Sequence, residues 1–482
     1  MVQLAQRDRP RRWRWHPPES PAGRAVPLAG AAAGLVASAT LPLGRPGLGW
    51  LLTALAVAGC ACIGSTQWRS ERLLRLAWAV GAVALLAVGV VRAAGWLYAL
   101  CVPVALLAGA QALVGGRTVR AMLTGVLAVP VAAVRALPWA AQAVNSYRRA
   151  VPSARLAASG GVTLLLVLVF GALLTSADPA FAHVVDLAMP SLDASGAPRA
   201  MFLFTVVGLL GLAVAYLARS RPCTVDLDGP ARPLRTAEWV LPVALVDVLF
   251  AGFVLVQLTV LFGGHRHVLD TAELTYAQYA RGGFWQLLVV TGLTLGVLAG
   301  AARWAPRTRP LDRVLLRVLL GTLAGLTLVI VASALRRMAL YEDAYGYTRL
   351  RVFVMGVELW LGLLFVLVLV AGVRIDGRWL PRLALGTAVA GLLALAVLNP
   401  DRFIAAQNVD RYARSGRIDF YYLGSLSADA VPELARLPEP QRSCALALMS
   451  VPDDDWRSYN LARVSARAVL GPRTDACRNV QW

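Results

Sequence analysis

The stretch "VFVMGVELWLGLLFVLVLVAGV", residues 352–373, holds one charged side chain, Glu358, in an otherwise uncharged run. At a rise of about 1.5 Å per residue, a run of this length spans the roughly 30 Å hydrocarbon core of a bilayer. In lipid the backbone must satisfy its own polar groups, so the run has to be a helix. A barrel would instead need alternating strands of about ten residues.

Similar runs recur on both sides, at about 26–42, 47–65, 76–91, 96–115, 156–175, 200–218, 238–262, 284–302, 314–334 and 383–398, giving eleven with the first. The hydrophobic fraction of 58%, the charged fraction of 15% and the mean hydropathy of +0.62 agree with that reading. The predicted fold is all-α: a polytopic transmembrane helical bundle of about 11 spans with a small C-terminal α-helical extracytoplasmic domain. Residues 1–25 read as a cytoplasmic basic arm, 26–398 as the transmembrane domain and 399–482 as the outer domain.

All 47 basic side chains are arginine, a bias that a high-GC coding habit accounts for. Without lysine the chain cannot form a GxxxxGK[ST] phosphate loop, a Schiff base or a Ser/Lys dyad. The net charge of +20 points to anionic lipid headgroups at cytoplasmic loops and not to nucleic acid, since no soluble basic domain is present to hold a duplex. Arginines alternate between loops: 69, 72 and 75, then 117 to 155, 219 to 235, 303 to 313 and 374 to 382 form the rich set. By the positive-inside tendency these are cytoplasmic, and an odd span count sends the C-terminus out. The multi-pass protein is thus expected in the bacterial cell (inner) membrane, N-terminus inside. Residues 117–155 bear on the count. Their 14-residue apolar run between Arg120 and Arg135, with Pro130 and Pro138, is short for a span and reads as an interfacial or re-entrant elbow. If it crosses, every later loop changes side.

The stretch "LRRMALYEDAYGYTRLRVF", residues 335–353, breaks the pattern by carrying arginines on the outer side. On one helix, Arg337, Tyr341, Tyr345 and Arg349 would form a single stripe, with Glu342 on a neighbouring line. Two readings follow. One is an interfacial belt of tyrosines and charge-cancelling pairs. The other is a site for an anionic group, held by Arg336, Arg337, Arg349 and Arg351 with Tyr341, Glu342 and Tyr345 around it. Two acids lie within spans: Asp247 at about 13 Å depth and Glu358 at about 9 Å. Such carboxyls are costly and are either structurally held or part of a proton or substrate path. Gln257, ten residues beyond Asp247, is too far along the helix to be its partner.

From Asn399 the composition changes. Asn399 reads as an N-cap followed by Pro400, the helix ends near Gly416, and a second starts after Ser427. Further helices are expected over "PQRSCALALMS" and "DDDWRSYNLARVSARAVL", the latter opening on acids at its positive dipole end. Cys60, Cys62 and Cys101 are packing residues, Cys223 lies in an inner loop, and Cys444 and Cys477 are candidates for a disulfide. His265 and His267 read as a solvated loop, no metal or other cofactor is implied, and HExxH, GxSxG and GxGD are absent.

The stretches "LTYAQYARGGFWQLL", "RRMALYEDAYGYTRLR" and "NPDRFIAAQNVDRYARSGRIDFYYLGSLSADAVPEL" together resemble a family of bacterial multi-pass membrane proteins, that of domain of unknown function 4153, also 4173. The resemblance covers roughly residues 150–440 and implies an integral membrane protein without implying a reaction. The family's glutamate stands here as Gln278 or Gln286. The leading functional reading is a non-enzymatic envelope scaffold or accessory protein whose outer domain binds a protein partner. The alternative is a transporter of an anionic or lipid-linked solute using Asp247, Glu358 and the 336–351 hairpin. A third class, the lipid-linked glycosyltransferases, shares the span number, but its members resemble one another in an acidic first outer loop, which here is "LGRPG".

Overall fold

Uncharged runs that cannot bond their backbone to water close it on itself, and the chain is built almost wholly of the resulting helices. The computed structural model describes residues 15–16, 18, 21–64, 72–150, 170–171, 174, 196–222, 235–262, 284–307, 309–374 and 377–470. Most of the expected span at 156–175, the histidines 265 and 267, Cys223, Cys477, Gln278 and most of the basic arm lie outside the described residues. In chain order the long helices are α1 (Ala25–Thr40), α2 (Leu48–Gly64), α3 (Arg72–Val91), α4 (Gly95–Leu113), α5 (Val119–Ala150), α6 (Ala197–Arg219), α7 (Thr236–Phe262), α8 (Phe284–Trp304), α9 (Pro310–Tyr345), α10 (Arg349–Arg374) and α11 (Leu380–Leu398). The tail adds α12 (Pro400–Ser415), α13 (Phe420–Gly424), a 3₁₀ turn (Ala428–Ala430), α14 (Val431–Leu434), α15 (Gln441–Ala447) and α16 (Leu461–Arg467). Among the described residues, nine helices are long and apolar enough to cross a membrane, while α1 and α2 are shorter apolar helices. The protein is an all-α polytopic membrane protein.

The chain divides into two compact units: Met1–Asp226 with Pro452–Ser465, and Leu227–Val451 with Ala466–Trp482. Residues 399–451 and 466–482 thus fall in the second unit and 452–465 in the first.

In the first unit, α1 and α6 run antiparallel at close range because glycines face each other. A Cβ at Gly30 would come within 2.8 Å of Leu212, and one at Gly34 within 2.6 Å of the Phe204 carbonyl. Small residues four apart permit this kind of approach in lipid, where burial between helices gains little and packing decides. The turns at one end are closed by the segment 452–465. Leu48 N donates to Tyr459 O (3.1 Å), Gly49 N to Arg457 O (2.8 Å), and Asn460 Nδ2 to the carbonyls of Gly89 (2.8 Å) and Arg92 (2.9 Å). Buried Arg463 binds Asp454 (2.7 Å) and the Pro46 carbonyl (3.1 Å).

At the opposite end of this unit lies α5, which is one unbroken helix despite Pro130 and Pro138. Gly125 faces Val114, just past α4, and Trp139 stacks edge-on against Tyr216, near the end of α6, at 5.6 Å. The two contacts are 14 residues apart, about 21 Å along the helix. Both fall at the end where α1 begins and where α4 and α6 finish. Ala128, Ala132, Ala136 and Ala143 form the buried stripe of α5, while Leu123, Leu127 and Val134 are exposed.

In the second unit, α7 runs parallel to α9. Thr236 meets Asp312 at one end (3.4 Å), and Gln257 accepts from Ser333 (3.3 Å) and Arg337 at the other. α10 returns antiparallel to α9, with Gly362 against Val331. α8 packs on α9 and α10, and the core between these helices includes Phe250, Leu298, Leu323, Ile330 and Phe365.

Candidate functional site

The turn between α9 and α10 is where the sequence concentrates charge. α9 ends because Gly346 takes φ +80°, a left-handed value that a side chain resists, and its amide closes on Glu342 O at 2.7 Å. A Cβ on Gly346 would also run into Asn408 Oδ1. The expected single stripe from Arg337 to Arg349 is therefore broken. Arg337, Tyr341 and Tyr345 belong to α9, and Arg349 opens α10.

Each of three arginines then finds an acceptor within the protein. Arg349 grips the fully buried Asp401 of α12 with two bonds, Nε to Oδ1 (2.9 Å) and Nη2 to Oδ2 (2.5 Å). Asp401 Oδ2 also accepts from Ser427 N (2.8 Å), and Arg349 N donates to Tyr422 Oη (2.6 Å). Arg351 donates to the Gly346 carbonyl and lies 4.2 Å over the Tyr341 ring, while the Tyr341 and Tyr345 rings meet at a tilt with centroids 4.9 Å apart. Arg337 donates to Gln257, and Arg336 is exposed. Glu342 is buried with Oε1 lacking a hydrogen-bond partner.

A second seam joins the turn to α12. Asn408 Nδ2 donates to Tyr347 O (2.9 Å), its Oδ1 accepts from Tyr347 N (3.3 Å), and Arg411 donates to Ala344 O (2.7 Å). Tyr347 packs edge-on against Phe403. Asn399 does not cap α12 through its side chain: at φ 56° it is the left-handed joint between α11 and α12. That joint turns Asp401 toward the hairpin end of the unit. Burial pushes the Asp401 carboxyl up, but the bonds from Arg349 and Ser427 more than offset this and hold it below the usual range. Glu433 is held low in the same way against burial, by Arg436 (2.8 Å) and Arg402 (2.9 Å).

The intramembrane acids stand apart from this network. Asp247 and Glu358 are buried, and none of their carboxyl oxygens has a hydrogen-bond partner. By the helix pairings above, Glu358 lies near the level of Ser333 and Gln257, and Asp247 is ten residues, about 15 Å, deeper than Gln257. Among the described residues, no shared polar centre unites them. In the tail, Cys444 is buried and disulfide-bonded. The helix expected from Asp453 begins only at Leu461, because Asp454 is taken by Arg463 and Asp455 by Ser458 (2.9 Å).

Sequence reasoning missed Asp401, Asn408 and Gln257 as partners of the hairpin. The available signal was that "RRMALYEDAYGYTRLR" and "NPDRFIAAQNVDRYAR" both belong to the stretches that carry the family resemblance, as two halves of one joint would. The family described as Domain of unknown function (DUF4153) matches residues 80–437, so the chain belongs to it. No curated protein and no solved structure matches.

Proposed function

We propose that this DUF4153-family chain is a non-enzymatic scaffold of the bacterial cell membrane, with its hairpin and α12 forming a fixed extracytoplasmic cap on which a partner protein docks. The observation that carries this reading is the use of the hairpin guanidiniums. Arg349 is tied to Asp401 by two bonds and Arg351 lies between the Gly346 carbonyl and the Tyr341 ring, so both guanidiniums are turned toward the protein and Arg349 holds α12 in place. An anion-binding site would keep such donors open.

The orientation follows from the arginine-rich loops, which put the N-terminus in the cytoplasm and the hairpin and tail outside. The contacts of α5 support this count: a helix that meets one bundle end at points 14 residues apart, buried on an alanine stripe and apolar on its other face, suits the membrane interface and adds no crossing. A reporter active only outside the membrane, fused after Trp482, is expected to work. Activity of a cytoplasm-only reporter at that position would show that α5 crosses and would overturn the orientation.

A transporter remains the second reading, favoured by the unpartnered carboxyls of Asp247 and Glu358.

A further inference from the structure

At the end of the second unit away from the hairpin, α8, α9 and α10 part around a cleft of about 450 Å³. This lies within the roughly 300–1,000 Å³ range of sites that hold one small ligand. The walls are aliphatic, Leu298, Leu320 and Leu369 among them, and two glycines keep the cleft open. A Cβ added at Gly321 or Gly372 would meet nothing within 4 Å.

Among the described residues, the charged side chains lining the cleft are Arg307 and Arg317, both exposed. Arg307 spends one donor on Ala302 O (2.6 Å), and a guanidinium has five. Asp312, an acid one and a half turns from Arg317, does not neutralise them. It is buried and occupied by Arg309 N (3.2 Å) and Thr236 (3.4 Å).

Depth fixes what such a cleft would meet. Between Arg317 and Arg336, α9 carries no charge for 18 residues, about 27 Å of helix against a hydrocarbon core of about 30 Å. Arg317 therefore falls at one boundary of that core, the level of headgroup phosphates, while the cleft's apolar walls lie beside it at acyl-chain level.

We propose that this cleft binds one anionic phospholipid, an acyl chain lying between α8, α9 and α10 and the phosphate on the guanidiniums of Arg317 and Arg307. The planar fork of arginine suits phosphate oxygens, and the aliphatic walls suit the chain. The site does not depend on the role assigned to the hairpin end. It goes beyond a general attraction of basic loops to the membrane by naming a place with a stoichiometry of one.

Native mass spectrometry of the full chain in detergent, with phosphatidylglycerol or phosphatidylcholine added, tests this. One phosphatidylglycerol is expected to be retained about 25-fold over phosphatidylcholine, and Arg317→Gln should cut this to about fivefold, each of the two cationic side chains being worth a factor of about five near an anionic group. Gly321→Leu fills open space and should abolish retention of both. Thermal melting checks its folding, and Ala299→Leu, at an exposed cleft position, repeats the test if Gly321→Leu melts early. Equal retention of the two lipids by the unaltered chain would overturn the proposal. So would phosphatidylglycerol retention that survives the filling variants, or a lipid-free dimer that those variants dissociate.

Discussion

The two ends of α9 carry the same side chain in opposite circumstances. At the C-terminal end and just past it, Arg337, Arg349 and Arg351 donate to Gln257, Asp401 and the Gly346 carbonyl. At the N-terminal end, Arg317 is exposed beside an apolar cleft and the nearby acid is buried elsewhere. An arginine at a membrane boundary thus says little by its type. What separates anchor from binding group is whether the fold supplies an acceptor, and that depends on residues distant in sequence.

The comparison breaks most sharply at Asp401. Asp401→Asn removes the charge that Arg349 was folded around and leaves a half-buried guanidinium with a weaker acceptor. A loss of about 3 kcal/mol in stability is expected, at the low end for breaking a buried pair. Arg317→Gln, at the open end, should cost under about 0.5 kcal/mol, as exposed substitutions do. Melting both variants in the same detergent checks the contrast, and equal losses would erase the distinction between the two ends.

Gly346→Ala probes the same joint through the backbone. A side chain at φ +80° is strained and would push against Asn408, so a loss of about 2 kcal/mol is expected from strain of this kind. Because Asn408 also bonds both backbone groups of Tyr347, Asn408→Ala combined with Gly346→Ala should cost less than the sum of the two. Additive losses would mean that the turn and α12 are not coupled.

Acid should open the joint as well. The folded carboxyls of Asp401 and Glu433 are held below their ordinary values of about 3.9 and 4.3. A depressed folded value gives stability that is present above the ordinary value and lost as pH falls through the folded one. Melting temperature should therefore hold from neutrality to about pH 4 and fall below it, with Asp401→Asn showing a shallower fall. An unchanged slope in that variant would assign the acid sensitivity to other groups.

Much of the fold was legible because membrane helices are long and chemically uniform. The runs expected at 238–262, 284–302, 352–373 and 383–398 became α7, α8, α10 and α11 with ends shifted by a few residues. α9 exceeded its expected 314–334, since its amphipathic ends continue past the apolar run as far as Gly346. The hairpin was legible as unusual and illegible as a joint. Its acceptor Asp401 is 52 residues from Arg349, and nothing in the spacing of "NPDRF" announces that Asn399 will turn left-handed and aim the acid back. The tail failed for a related reason: Asp454 and Asp455 look like a helix start until Arg463 and Ser458 claim them.

A small effect is also expected inside the bundle, and it carries the most functional weight. Glu358→Gln keeps the shape of a carboxyl that has no hydrogen-bond partner on either oxygen, so there is no bond to lose and stability should change by under about 1 kcal/mol. Asp247→Asn should behave alike. Against Asp401→Asn, the contrast is between an acid the fold uses and acids it merely encloses. Buried polar groups that contribute nothing to stability are hard to account for by packing, so function and stability must be measured on the same variants. Growth of a deletion strain carrying each variant supplies the second readout. Full complementation by both, with unchanged melting, would leave these acids without a role in transport and strengthen the scaffold reading. Loss of complementation with unchanged melting would place the chemistry of this protein within the membrane and make the transporter the better account.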